Sequence, residues 1–512
     1  MSIKTTVLYK TLIVASVIAV ILFSRFFPIY YASIHTPPGY VYVGQTSMYD
    51  PWDINVYVGA IHYGQDGHLF LKNQYSTKDN REAFIYPVYT IIGFLFRTVD
   101  PYTLYNAIAA ITIIVVCLAI FALAFKILGN FFYSVIAMFL VTRGGGFGWL
   151  SFVTFGQQLI PADLAYSAVT FTSALQRAHE GIGTILLVLA IMSLYFYLQK
   201  QTRNRGIVSF LSVVFLMLFY PYYILSYAVI AGIYAGYFIF RKKNFKFLPL
   251  LTVNLAVSGI VIFVYYLNIK SSGFAVVMDE NIDKVGFLSF LLAYGIFFFL
   301  FAIVYFLKRV NNQKQEQYFL ITWIVTSVLL SYFPIGYSRL FLRGLFFPLV
   351  ILSLILIRNM TSVLQRRVIL IGFFLLMPLT SLFVFYSRIE VVDNRDSWSY
   401  IMAETDEMFD FLEARRGDGI LSAYRYGNFI PAKTGKTVYF GHMTQTPDAK
   451  KRMQRIYEFY SGTMTNEEAR EFLIRNHLTF VVYGLEERRL GGHVYPFLEQ
   501  RFHNAKTQVY SL

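Results

Sequence analysis

Cysteine occurs once in the 512 residues. That residue, Cys117, lies inside an apolar run, which excludes disulfides and argues against thiol chemistry. Acidic residues are scarce over most of the chain. Residues 1–387 carry 12 Asp and Glu against 27 Lys and Arg, whereas residues 388–512 carry 17 of each. The net charge of +15 therefore lies wholly in the first 387 residues. No Walker, Rossmann or H-E-x-x-H pattern occurs, and neither an internal repeat nor a low-complexity linker. What the chain has in excess is apolar surface, at 56% hydrophobic and 19% aromatic residues. Runs long enough to cross a bilayer recur from residue 7 to residue 387, which excludes a soluble protein.

The basic excess sits in short connectors: Lys4 and Lys10; Lys200, Arg203 and Arg205; Arg241, Lys242, Lys243 and Lys246; Lys308, Arg309 and Lys314; Arg358, Arg366 and Arg367. This is the positive-inside signature of a membrane protein and no nucleic-acid surface. The first run, about 7–30, is too long for the apolar core of a signal peptide and lacks a small-x-small cleavage site. It reads as an uncleaved first transmembrane helix.

Candidate spans lie at about 7–30, 84–98, 103–126, 131–150, 182–199, 207–221, 222–240, 247–268, 286–307, 317–334, 340–357 and 368–387. The basic connectors place the amino terminus inside and the carboxy-terminal chain outside, so the number of crossings must be odd. The span 84–98 is the one to remove. It is short, contains Pro87, ends in Arg97 and is followed by Asp100-Pro101, as an interfacial or re-entrant helix on the outer face would be. The expected fold is an α-helical polytopic membrane domain over 1–387 with about 11 transmembrane helices. Interfacial helices belong to a first outer loop at about 31–100, and an extracytoplasmic α/β domain follows at 388–512. That domain alternates helical patterns near 397–416, 447–461 and 465–477 with β-rich runs at 419–423, 437–440 and 478–483. The setting is the plasma membrane, with the amino terminus cytoplasmic.

The chemistry-bearing residues gather in the outer connectors. Tyr49-Asp50-Pro51-Trp52-Asp53 offers two carboxylates beside the bilayer, suited to a general base or to a divalent cation. The same residues also read as a helix start, with Asp50 at the N-cap, Pro51 at the first helical position, Asp53 as a capping-box acid, and Ile54, Val58 and Ile61 as one apolar face. Gln176-Arg177-Ala178-His179-Glu180 opens the 182–199 span. Glu180 either favours the helix N-terminus or joins Asp50 or Asp53 around a metal or acceptor, and Arg177 is a candidate for a phosphate. Tyr337-Ser338-Arg339-Leu-Phe-Leu-Arg343 puts two arginines on one face of an outer helix end. This breaks the positive-inside trend and points to an anionic partner such as a lipid phosphate, against simple snorkelling to headgroups.

Other features read as architecture. Arg143-Gly-Gly-Gly146 is a weak phosphate-cradle pattern, because it does not open a helix after a strand. Gly232-x-x-x-Gly236 reads as helix packing, and Phe219-Tyr-Pro-Tyr-Tyr223 as a tight aromatic turn. Asp279, Glu280, Asp283 and Lys284 read as a solvated loop. His442, His477, His493 and His503 lack metal-ligand spacing.

A first helix, an outer loop with an acidic motif, an interfacial Tyr86-Pro87 helix and a bundle together resemble the GT-C integral-membrane glycosyltransferases. Asp50-Pro51-Trp52 resembles the Asp-Pro-Trp/Tyr of oligosaccharyltransferase catalytic subunits, and implies a metal-binding, acceptor-contacting Asp50. Asp53-x-x-x-Tyr57 with Gly64 and Gly67 resembles the first-loop pattern of bacterial protein-mannosyltransferase-like proteins, and implies that Asp53 is the base. Glu180 falls where oligosaccharyltransferases carry an acidic pair. Tyr426-Gly427 sits where their Trp-Trp-Asp-Tyr-Gly motif would lie, but Ala423-Tyr424-Arg425 stands in place of Trp-Trp-Asp. The residues that read a glycosylation sequon are thus missing.

The resulting expectation is an inverting glycosyltransferase, a hexosyltransferase of GT-C type. It would move a sugar from a polyprenyl-phosphate-linked donor to a lipid, glycan or protein acceptor at the outer leaflet. Asp53, Asp50 and Glu180 are the candidate catalytic residues, Arg339, Arg343 and Arg177 the candidate donor-phosphate contacts, and Asp50 with Glu180 the candidate ligands of a divalent cation (Mg or Mn). Membrane lipids are partners and nucleic acid is not. The rivals are a transporter or flippase for lipid-linked saccharides and a polysaccharide polymerase or ligase. A transporter would carry ionisable groups deep in its helices, whereas here the polar residues gather at one mouth.

Overall fold

The computed structural model describes residues 3–47, 50–78, 81–156, 161–278, 284–306, 315–334 and 338–512. Tyr49, Asp279, Glu280, Asp283, Lys308, Arg309, Lys314 and Tyr337 lie outside these ranges. Two compact units emerge. The first comprises Met1–Pro28, Ile108–Phe263 and Asn281–Arg388; the second comprises Ile29–Ala107, Val264–Glu280 and Ile389–Leu512. The segment 31–100 thus belongs to the same unit as the carboxy-terminal chain.

Eight helices among the described residues are long and apolar enough to cross a membrane: Thr5–Ile34, Pro101–Leu128, Phe131–Phe155, Ala178–Gln199, Pro221–Lys242, Leu248–Lys270, Ser338–Arg358 and Val363–Asp393. The remaining three expected spans correspond to the apolar helices Arg203–Phe219, Phe287–Phe306 and Gln315–Ser331. Large apolar side chains such as Phe23, Ile111, Leu118, Ile260, Phe263 and Leu375 are exposed on these helices. Water would not tolerate so continuous an apolar surface, and lipid does. The chain is an integral membrane protein. The helix Pro87–Leu95 has nine residues, about 14 Å at 1.5 Å per residue against about 30 Å of hydrocarbon. Such a helix cannot cross, as its proline and flanking charges predict.

The second unit holds two sheets. Strand β1 (Tyr40–Tyr42) pairs antiparallel with β2 (Tyr400–Met402). The other sheet has the order β3-β4-β6-β5, from β3 (Ile420–Leu421), β4 (Phe480–Tyr483), β5 (Glu499–His503) and β6 (Gln508–Ser511). Strands β3 and β4 run parallel, and the other pairs antiparallel. Successive strand residues face opposite sides, so this sheet has two cores. Leu421 and Val481 pack with Phe459, Tyr460 and Phe472, while Ile420 and Val482 pack with Met408, Phe409, Phe429 and Ile430.

Helices Ala403–Glu413, Ala449–Tyr460 and Asn466–Arg475 fill the three predicted helical stretches. The third starts with the reciprocal cap of Thr465 and Glu468, as its Ser/Thr-x-x-Glu spacing requires. The expected strand at 437–440 contributes one isolated bridge, Val438 to Ile420.

Glu487 fastens the end of this sheet. Its carboxylate accepts the N–H of Ala423 at 2.7 Å and that of Gly484 at 2.9 Å. Burial outweighs these bonds and pushes its pKa up to about 7. A carboxyl whose folded pKa lies above its unfolded value binds more protons when folded, so its contribution to stability falls as pH rises from about 4.5 to about 7. A shift of that size corresponds to roughly 3 kcal/mol. Glu487→Gln removes the titration and leaves one N–H without its acceptor. The melting temperature of the wild type should exceed that of the variant by more at pH 5 than at pH 8. Parallel pH profiles for the two proteins would refute this.

Candidate functional site

Each first-loop helix begins with a residue forced into the left-handed region just before a proline: Asp50 at φ 40° before Pro51, and Tyr86 at φ 53° before Pro87. Non-glycine residues there cost of order 1–3 kcal/mol, and such strain persists where the surroundings dictate it. Asp50 occupies the N-cap by position, yet its side chain makes no capping hydrogen bond. Asp53 does not complete a capping box either, because its carboxylate meets His442.

The helix Pro51–Gln65 is not the half-exposed interfacial helix that its Ile54, Val58 and Ile61 spacing predicted. Asn55, Val56, Tyr57, Gly59 and Ala60 are buried as well. On one side it crosses Pro87–Leu95 so closely that a Cβ on Gly64 would lie 2.2 Å from the Thr90 carbonyl, and one on Gly93 would lie 2.0 Å from that of Ile61. On another side lies helix Tyr424–Thr434, whose Asn428 bonds Asn55 at 2.6 Å. Tyr102 donates to the Asn55 side-chain oxygen Oδ1 at 2.7 Å.

The same helix brings the histidine into place. Gly427 and Gly441 touch through their backbones, and a Cβ on Gly441 would sit 2.1 Å from the Gly427 carbonyl. Asn428 Nδ2 donates to the Gly441 carbonyl at 3.1 Å. The next residue, His442, is buried and places Nε2 at 3.0 Å from Asp53 Oδ1. Its Nδ1 receives the backbone N–H groups of Thr444 and Gln445, each at 3.3 Å. Two donors converging on Nδ1 require its lone pair, so the ring proton resides on Nε2 and is donated to Asp53. Tyr424 shares this corner. Burial first, then the charges of Asp53, Asp50 and Glu486, push its phenol up to about 12.

Glu180, Arg177, Arg339 and Arg343 belong to the other unit. Glu180 lies in the first turn of helix Ala178–Gln199. Its carboxylate forms an ion pair with Arg343, lies 3.7 Å from Arg177 and accepts the Ser167 hydroxyl at 3.0 Å. Arg343 is 1% exposed. It also reaches Thr184 Oγ1 at 3.3 Å and lies over the Tyr223 ring at 5.2 Å. Arg339 instead stacks on Tyr166 at 4.8 Å and is only half-buried.

The glycine run at 144–146 has no backbone left for a phosphate. The N–H groups of Gly144, Gly145 and Phe147 go to the carbonyls of Leu140, Met377 and Leu292. That of Gly146 goes to the buried carboxylate of Asp163 at 3.0 Å, which Thr380 also contacts. Three buried arginines gather nearby on backbone carbonyls: Arg143 on Ile21, Arg25 on Gln176 and Arg388 on Arg25. Gly232 and Gly236 form no packing seam among the described residues, where a Cβ at either would meet no atom within 4 Å. Tyr220-Pro221-Tyr222-Tyr223 makes the expected tight turn, and Tyr220 bonds the His179 ring at 3.0 Å.

Glu180 is a poor fit to the cation-ligand role, because its charge is already met by two guanidiniums. Among the described residues no group of three or more His, Cys, Asp or Glu forms a metal site.

No family model and no curated relative matches the chain. Its fold matches solved structures of the oligosaccharyltransferase of Archaeoglobus fulgidus. One, tethered to an acceptor peptide containing the NVT sequon, superposes with TM-score 0.54 at 12% identity, over 93% of this chain and 69% of the other. A second, holding an inhibitory peptide and a dolichol-phosphate, gives 0.50 at 10% identity, over 93% and 70%. A third, with Zn and sulfate, gives 0.51 at 13% identity, over 93% and 68%.

Proposed function

Taking as premise that the chain has the GT-C fold of archaeal oligosaccharyltransferases, we propose that it is a membrane glycosyltransferase acting on a lipid-linked glycan, with Asp53 as the base. The observation that carries this is the fixed Asp53 carboxylate. A buried helix start presents it, a buried histidine holds it, and the helix belongs to a loop whose sequence resembles that of the GT-C enzymes.

The reaction moves a sugar from a polyprenyl phosphate or diphosphate to an acceptor at the outer leaflet. The acceptor's O–H or N–H loses its proton to Asp53, and the freed electron pair forms the new bond to the anomeric carbon. The bond from that carbon to the phosphate oxygen breaks, and its electrons leave with the lipid phosphate. Attack opposite the leaving group inverts the configuration. Since the phosphate is already a competent leaving group, the protein's work is alignment and charge stabilisation. Asp53 is favoured over Asp50 by its histidine partner. Asp50 supplies the strained turn that aims the helix start, and no step is routed through a metal.

Among the arginines, Arg339 is assigned the donor phosphate, since Arg343 and Arg177 both face Glu180. Arg339→Ala should lower kcat/KM for the lipid-linked donor roughly 10- to 100-fold, the worth of one charge-assisted hydrogen bond. An unchanged value would remove Arg339 from the phosphate-binding role. The acceptor is not a sequon read in the usual way, because Ala423-Tyr424-Arg425 lies at the helix start where that reading would be done. The test of the function is release of polyprenyl phosphate from fluorescent lipid-linked saccharides by membranes carrying the wild type, Asp50→Asn or Asp53→Asn. Full turnover by both variants would overturn the first-loop base, and no release by the wild type would overturn the transfer reading.

A further inference from the structure

We propose that His442 is the positioning residue of Asp53: its Nε2–H fixes the carboxylate that activates the acceptor. This rests on the glycosyl-transfer reading above and adds to it a residue contributed by the carboxy-terminal chain.

Three observations carry the inference. The pair is close, at 3.0 Å between Nε2 and Asp53 Oδ1. The ring is almost wholly buried, with 2% of its side chain exposed against 24% for Asp53. Its tautomer is set from behind, because the N–H groups of Thr444 and Gln445 and the Thr444 hydroxyl all surround Nδ1. A histidine serving only to fill space would not need its far nitrogen committed in this way. The arrangement leaves one function for Nε2, which is to donate.

Backbone packing locates the ring. The Gly427–Gly441 contact and the Asn428 bond to the Gly441 carbonyl hold the residue just before His442. Asn428 also bonds Asn55, two residues beyond Asp53 on the carboxylate's own helix. Helix Pro51–Gln65 and the His442 turn are therefore tied twice, once through Asn55–Asn428 and once through Asp53–His442. A carboxylate restrained by a buried donor loses less orientational freedom when the acceptor arrives. The tyrosine rings around the pair fit the same role: Tyr75 packs against the imidazole at 5.5 Å between centroids, and Tyr424 feels the charge of Asp53.

The test compares His442→Gln, His442→Asn and His442→Ala in the full-length membrane protein, using a fluorescent polyprenyl-diphosphate-linked saccharide. A glutamine amide nitrogen reaches the place of Nε2, whereas that of asparagine falls near Nδ1. Positioning therefore predicts that kcat drops about 10- to 100-fold in His442→Ala and His442→Asn, with KM for donor and acceptor nearly unchanged. His442→Gln should recover most of the loss. Melting temperatures are recorded for all three. If Gln and Asn are equally impaired in step with their melting temperatures, or if His442→Ala turns over like the wild type while Asp53→Asn does not, the positioning role fails and the transfer reading stands. If the wild type itself turns over no lipid-linked saccharide, the transfer reading is what fails.

Discussion

Asp53→Asn should slow turnover of a lipid-linked glycan by about 10²- to 10⁴-fold, the usual worth of a general base. In barrier height this is about 3–5.5 kcal/mol. Stability should hardly change, because the asparagine amide oxygen can still accept the proton that His442 Nε2 offers at 3.0 Å. Loss of activity without loss of fold is what separates a base from a structural carboxylate. Asp50→Asn is the built-in control. Asn tolerates the left-handed conformation that residue 50 adopts at φ 40°, so the helix start survives. Turnover of that variant should remain within about tenfold of the wild type, which is the spread of a lost secondary interaction. A reversal of the two variants would assign the base to Asp50 and would leave His442 paired with a bystander.

Glu180→Gln should instead act on stability. The substitution strips the counter-charge from Arg343, which is 1% exposed, and from Arg177. Removing one partner of a buried ion pair typically costs 3–5 kcal/mol, because the other charge stays behind uncompensated. Melting temperature in detergent should fall by several degrees, and expression with it. Replacing Arg343 by Met in the same chain removes the stranded charge and should restore much of the loss, a coupling that a double-mutant cycle reads directly. Normal stability with lost turnover in Glu180→Gln alone would make Glu180 a catalytic acid, as the sequence allowed.

Much of this arrangement was legible in the sequence, and the rest had physical reasons to be hidden. Helix positions followed from apolar length, and the shortness of the Pro87–Leu95 helix from its proline and flanking charges. Glu180, Arg177 and Arg343 were each visible as polar residues at a helix end. Their pairing with one another was not, because a sequence shows charges and not which of them meet. The glycines at 144–146 were a weak match to a phosphate cradle, and each neighbouring N–H has a carbonyl or carboxylate of its own.

His442 was the largest omission. It lies 389 residues from Asp53 and has no ligand spacing around it. Its local signals are Gly441 before it and Thr444 after it, and they gain meaning only when Gly427 is known to touch Gly441. The reading of Asp50 and Asp53 as helix caps was half right. Position and proline placed the helix start, while the side chains went elsewhere.

The decisive measurement uses purified protein in liposomes containing a fluorescent polyprenyl-diphosphate-linked saccharide, with acceptor present. It follows the new glycoside and the released lipid phosphate together. The wild type should produce both in equal amounts, and Asp53→Asn should produce them at least a hundredfold more slowly with its melting temperature retained. Equal rates from the two proteins would contradict the assignment of Asp53 as the base. No product from the wild type with any lipid-linked saccharide would contradict glycosyl transfer itself.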